Sequence, residues 1–213
     1  PWLMARGVKR FFGDPTPIQT NYLVDDLRED AADFELVGSV HIQVGAAPGD
    51  EINETNWLEE TAAREKLPSA IVAYCELERD DIEQQLRDHA NASRLRGVRQ
   101  IVGRSDEEAA RTGSGALLDD PRWLDGLQHL PLHGLSFDLQ LTPGQTQRAA
   151  EVFRAVPDLR VALCHCGSPW DKGKNGLASW REGLRGLAEN PNVYCKISGL
   201  GMFNHDWTTE DIR

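Results

Sequence analysis

Apolar and β-branched positions recur along the chain in six runs: Glu35–Val44, Ala70–Leu77, Leu95–Val102, Leu132–Leu141, Arg160–Cys166 and Asn192–Leu200. Stretches with helical spacing lie before and between them. Thr20 and Asn21 precede Tyr22–Ala32. Asn56 precedes Trp57–Lys66, with Glu59 at the capping-box spacing. Asp80–Ala92 carries Ile82 and Leu86 four residues apart. Pro121–Leu130 opens with proline after Asp120, as caps and first turns prefer. Gly144–Val156 and Leu177–Ala188 complete the set, and Asn190-Pro191 stops the last helix. The two kinds of segment alternate every about 25–38 residues. Strict alternation predicts a parallel sheet covered by helices.

Two closures of such a sheet compete, an open doubly wound sheet and a (β/α)8 barrel. A doubly wound nucleotide fold carries a glycine-rich first turn after a strand. Gly113-Ser114-Gly115 follows no strand and reads as a flexible turn. Several runs end in polar residues instead: His41 and Gln43, Glu76, Arg99, Asp138, His165 and Lys196. That is what a barrel active site requires. The expectation is α/β, a (β/α)8 barrel, incomplete because only six of eight strands are present. Residues 1–213 are read as one partial domain. The first residue is Pro1 and the last pair Ile212-Arg213 follows a helix start, so the chain is expected to be processed or a fragment. The longest loop, Gly103–Asp119, is long enough to be functional or mobile.

Composition narrows the function classes. The chain has 23 Lys and Arg against 34 Asp and Glu, a net charge of −11. This disfavours a phosphate-backbone binder, so no nucleic-acid partner is expected. No stretch reaches the roughly 18 apolar residues of a membrane helix, and no signal-peptide pattern is present. Four cysteines, Cys75, Cys164, Cys166 and Cys195, sit inside apolar runs without a Cys-x-x-Cys pair, so no disulfide and a cytoplasmic setting are expected.

The run Val-Ala-Leu-Cys-His-Cys-Gly carries the sharpest chemical signal. Period-two alternation puts Val161, Leu163 and His165 on one face, and Ala162, Cys164 and Cys166 on the other. It therefore argues against a Cys-His-Cys metal site, and the cysteines read as buried small hydrophobes. His165 precedes the turn at Gly167 and is the candidate catalytic residue, as ligand, base or hydrogen-bond donor; a structural role is the alternative. Lys196, inside an apolar run, is costly unless paired with a carboxylate or facing an anionic group. Asp138 is the candidate partner for Lys196 or Arg99. Arg99 could fork onto a carboxylate or lactone oxygen. His41 and Gln43 share a face, which suits a substrate pocket or a satisfied polar layer. His205-Asp206-Trp207 follows the last run, with Asp206 to Thr209 reading as a helix cap.

Five segments carry a resemblance: Ser-Val-His-Ile-Gln, Leu-Arg-Gly-Val-Arg-Gln, Leu-Ser-Phe-Asp-Leu-Gln, Cys-His-Cys-Gly-Ser-Pro and Tyr-Cys-Lys-Ile-Ser-Gly-Leu. Together they resemble the amidohydrolase-related family of TIM-barrel hydrolases, in its sugar-lactone branch of L-fuconolactonase and L-rhamnonolactonase type. The resemblance implies strands two to seven of the barrel. Strand one of the family bears His-x-His and strand eight an Asp, and neither motif is in this sequence. His165 matches the strand-six His and Arg99 the strand-four Arg. The implied activity is hydrolysis of a sugar-acid lactone or carboxylated lactone, with the missing Asp as base. His165 and Arg99 would polarise the carbonyl, while Gln43, His41, Lys196 and Asp138 serve the substrate.

Strands four and five offer Arg99, Ser136, Asp138 and Gln140, which disfavours a two-metal site. One divalent ion such as zinc, with His165 as a ligand, and a metal-free site both stay open. The isolated chain is expected to show little activity and to carry aggregation-prone barrel edges. Amide hydrolysis or decarboxylation, and a non-catalytic sugar-acid- or protein-binding relic, are the rival readings. Oligomeric state is left open, a homo-oligomer included.

Overall fold

Each of the six apolar runs contributes a strand, but a shorter one than its apolar length. In the computed structural model, which describes residues 13–103, 113–199, 201–202 and 206–212, the strands are β1 (Val40–Ile42), β2 (Ala70–Ala73), β3 (Leu95–Ile101), β4 (Ser136–Gln140), β5 (Val161–Leu163) and β6 (Val193–Cys195). The helices are α1 (Val24–Asp30), α2 (Glu51–Glu65), α3 (Ile82–His89), α4 (Pro121–Leu132), α5 (Thr146–Arg154), α6 (Lys174–Ala188) and α7 (Thr209–Ile212). The strands hydrogen-bond in chain order in one six-stranded sheet. The pairs resolved by register are all parallel. The α/β layout read from the sequence therefore holds. Among the described residues the sheet has six strands and is not closed into a barrel.

The chain divides into two compact units. The first comprises the residues up to Tyr74 together with Arg87–Arg96. Here α2 buries Leu58 and Ala62, and Leu58 clusters with Ile71 of β2 and Ala92. The helix starts at Glu51, not after Asn56 as predicted. Glu51 and Glu54 place negative charge in its first turn, where the helix dipole favours it. Glu59 is therefore mid-helix, not a capping residue. Its carboxylate instead accepts hydrogen bonds from Ser93 Oγ (2.7 Å), the Arg94 backbone N–H (3.3 Å) and Arg94 Nη1 (2.6 Å). Thr55 Oγ1 and His89 Nδ1 share a buried hydrogen bond of 2.9 Å. An apolar cavity of about 440 Å3 lies against β1, lined among others by Tyr22, Leu27, Val40, His41, Trp57 and Leu67.

The second unit comprises Cys75–Leu86 and the chain from Gly97 onward. Its core sits on one face of β3–β5. Val98, Phe137, Leu139, Val161 and Leu163 are buried there. Phe137 meets Trp123 of α4 edge-on, with centroids 5.6 Å apart, and lies 6.1 Å from Phe153 of α5. Gln100 is buried on this face too: its Oε1 accepts from the Leu77 backbone N–H (3.1 Å) and Trp123 Nε1 (2.8 Å). Two glycines permit close approach. A Cβ on Gly126 of α4 would lie 2.1 Å from the Leu77 carbonyl oxygen, and one on Gly97 2.8 Å from that of Ser136. Asp120 caps α4 as predicted, accepting from the Arg122 backbone N–H at 2.8 Å.

Candidate active site

The face of β3–β5 opposite this core carries the polar residues. Arg99 and Asp138 are register partners on β3 and β4, and Asp138 is partnered in turn by Ala162 of β5. Period-two alternation from Val98, Phe137 and Val161 turns all three away from the helices. Asp138 is 2% exposed. A carboxylate that deep is costly without a compensating charge. Lys196, just past β6, supplies it: its Nζ donates to Asp138 Oδ2. The Lys196 backbone is itself fixed, its N–H donating to the Leu163 carbonyl (2.9 Å) and its carbonyl accepting from the Cys166 N–H (3.1 Å).

His165 reaches this cluster by a route that strand alternation does not provide. Extended through residue 165, β5 would put His165 on the helix side with Val161 and Leu163. The strand instead ends at Leu163, and the chain turns back over Cys164–Gly167. His165, Cys166, Gly167 and Ser168 all have left-handed φ, at 52°, 53°, 70° and 56°. The imidazole is half-buried, and Ser198 Oγ lies 3.1 Å from its Nδ1. Its pKa is held below the ordinary 6.5, first by burial and then by the positive charges of Arg99 and Lys196. A neutral ring at neutral pH follows, with a nitrogen able to accept a proton.

Cys164 is 2% exposed, in keeping with its reading as a small buried residue. Burial pushes its thiol pKa up and nearby Asp138 adds to this, while Lys196 and Arg99 oppose it. Cys164 is thus a buried neutral thiol set among the three charged side chains. Sequence reasoning assigned no site role to Cys164 or to Ser198. The usable signal for Ser198 was its place two residues after Lys196, on the same alternation.

His41 and Gln43 belong to the first unit. His41 pairs in register with Ile71, lines the apolar cavity, and has its Nε2 3.8 Å from Glu54 Oε1 of α2. Gln43 is buried, and its side-chain oxygen accepts from the Gly45 N–H at 2.7 Å. His205 and residues 104–112 lie outside the described residues.

The amidohydrolase family model matches residues 17–213. The chain belongs to the amidohydrolase family. This amidohydrolase is a hydrolase by that membership. It is 38% identical over 215 residues to the uncharacterized protein y4mH of Sinorhizobium fredii, covering 100% of this chain and 72% of that one. It is 29% identical over 192 residues to an L-fucono-1,5-lactonase of Burkholderia multivorans, covering 88% of this chain and 60% of that one. An L-fucono-1,5-lactonase of Burkholderia ambifaria is 26% identical over 148 residues, with coverage of 69% and 48%. The amidohydrolase thus spans between about half and three fifths of the lactonases it matches.

Among solved structures, a Burkholderia multivorans amidohydrolase with bound HEPES superposes with a TM-score of 0.77 at 24% identity, covering 93% of this chain and 68% of that one. A second crystal form of it, with bound zinc, gives 0.76. At that identity the likeness concerns the fold. In this chain the described residues include no group of three His, Cys, Asp or Glu placed to hold a metal ion. Asp138 is already engaged by the Lys196 ammonium. The described residues therefore do not fit a divalent ion held by three protein ligands.

Among the described residues, no helix is long and apolar enough to cross a membrane.

Proposed function

We propose that this amidohydrolase opens a sugar-acid lactone by attack of water on the ring ester. The water oxygen bonds to the carbonyl carbon, the ring C–O bond breaks, and a hydroxy acid leaves. One observation carries the reading. Arg99 and the Asp138–Lys196 pair, on the polar face of neighbouring parallel strands, converge with a neutral His165 just past the carboxyl end of β5, the end at which barrel enzymes place their chemistry.

Each group has work to do in that reaction. Arg99 and Lys196 supply positive potential for the carbonyl oxygen as it gains charge, and for the carboxylate formed. Asp138 fixes the Lys196 ammonium. His165, neutral and within reach of Ser198 Oγ, accepts a proton from the attacking water and returns it to the leaving ring oxygen. The lactonase names of two relatives support the choice of a lactone.

The test is a substrate panel: L-fucono- and L-rhamnono-lactones and a carboxylated lactone, followed by acid release, beside amides and substrates that lose carbon dioxide. Lactone turnover that collapses in His165→Gln and Lys196→Met supports the reading. Turnover of the amides or of the decarboxylation substrates, with the lactones inert, overturns it in favour of that chemistry. Binding of a sugar acid without turnover of any panel member overturns catalysis itself.

A further inference from the structure

Two of the four cysteines share a feature the hydrolytic site does not use. All four are free thiols; Cys75 and Cys164 are buried, Cys166 is half-buried and Cys195 is exposed. Cys195 ends β6, where its register partner is Leu163 of β5. Three residues after Leu163, the left-handed turn brings Cys166 back beside β6. Both sulfurs then lie against one acceptor: the Lys196 carbonyl oxygen is 3.5 Å from Cys166 Sγ and 3.9 Å from Cys195 Sγ. The same oxygen accepts the Cys166 backbone N–H at 3.1 Å, which fixes the turn against the strand. Burial pushes the Cys195 thiol pKa up, and the neighbouring Cys166 thiol adds to the rise.

We propose that Cys166 and Cys195 form a dithiol site that is modified by low-molecular-weight disulfides and closes to an intrachain disulfide. Glutathione disulfide is the representative ligand. One protein thiolate attacks it, its S–S bond breaks, and one glutathione thiol leaves. The second protein thiolate attacks the protein sulfur of the mixed disulfide and releases the other glutathione thiol. Two protein thiols are oxidised and one glutathione disulfide is reduced to two thiols, with no other reactant. The new bond ties the His165 turn to the strand end that carries Lys196. The proposal does not depend on the substrate of the hydrolytic site.

The folded chain is incubated with excess glutathione disulfide, quenched with acid, alkylated in denaturant and mapped by tandem mass spectrometry. The expected product joins the Cys166 and Cys195 peptides, lighter than the two thiols by two hydrogen atoms. Cys75 and Cys164 are alkylated. In Cys166→Ser the expected product is a stable glutathione adduct on Cys195, and in Cys195→Ser the same adduct on Cys166. Separate adducts on both residues of the unsubstituted chain overturn the proposal. So does a link to Cys164, or a chain whose four thiols all remain alkylatable.

Discussion

Lys196 donates a hydrogen bond to the Asp138 carboxylate across 58 residues of sequence, joining the end of β6 to the middle of β4. Asp138 is 3% exposed at its side chain and Lys196 33%. Lys196→Met leaves a buried carboxylate without its counter-charge. The loss expected in urea unfolding is about 2–4 kcal/mol, toward the lower side of what buried pairs give because the ammonium is partly solvated. Lys196→Met with Asp138→Leu is expected to recover most of that loss. A double variant no more stable than Lys196→Met alone shows that the pair is not what holds these two strand ends.

Stability is expected to fall on acidification below about pH 6.5. His165 and His89 both have pKa values held below the ordinary 6.5, each with burial as the largest cause. The unfolded chain then binds protons that the folded chain refuses. The stabilisation is complete above the unfolded value and is lost as pH falls toward the depressed folded values. Melting temperature against pH checks this, and His165→Gln is expected to flatten the part of the slope due to His165. An imidazole signal for His165 that titrates above 6.5 contradicts the assignment.

Ser198→Ala removes the hydroxyl 3.1 Å from His165 Nδ1. One neutral hydrogen bond of about 1 kcal/mol corresponds to roughly a five-fold fall in kcat/KM on whichever lactone is turned over. His165→Gln is expected to lower kcat by about 10²- to 10⁴-fold, the range of a general base. Equal losses in the two variants argue that Ser198 does more than orient the ring.

Gly126→Ala builds a Cβ 2.1 Å from the Leu77 backbone oxygen. Backbone cannot give way as a side-chain tip can. A destabilisation of about 1–3 kcal/mol is expected in thermal or chemical unfolding. Gly113→Ala is the contrasting case: its new Cβ meets nothing within 4 Å, and the penalty comes from the φ of 75° alone.

The alternation of runs was enough to read the parallel α/β sheet, because a buried strand needs apolar residues wherever it pairs. It overstated strand lengths. In Glu35–Val44 only Val40–Ile42 pair, and Val40 is 58% exposed. Apolarity marks burial propensity, whereas pairing needs a neighbouring strand. The Asp138–Lys196 pair was legible as one of two options, since a charge within an apolar run demands a partner. The route taken by His165 was not. Its position depends on four consecutive left-handed residues of which only Gly167 advertises that conformation. For His41 the alternation allowed a substrate pocket or a satisfied polar layer, and its Nε2 lies 3.8 Å from Glu54 Oε1 of α2.

The turn that carries His165 has a thermodynamic side. His165, Cys166 and Ser168 each occupy a backbone region that is unfavourable for an L-residue by about 1–2 kcal/mol. Glycine at Ser168 relieves that penalty in the folded chain, and even after its greater freedom in the unfolded chain it is expected to raise the melting temperature. The relief also loosens the hinge on which the imidazole hangs. A thermostable variant chosen by stability alone would therefore tend to collect glycines here and give up the fixed histidine. The segment is a place where selection for robustness and selection for turnover pull in opposite directions.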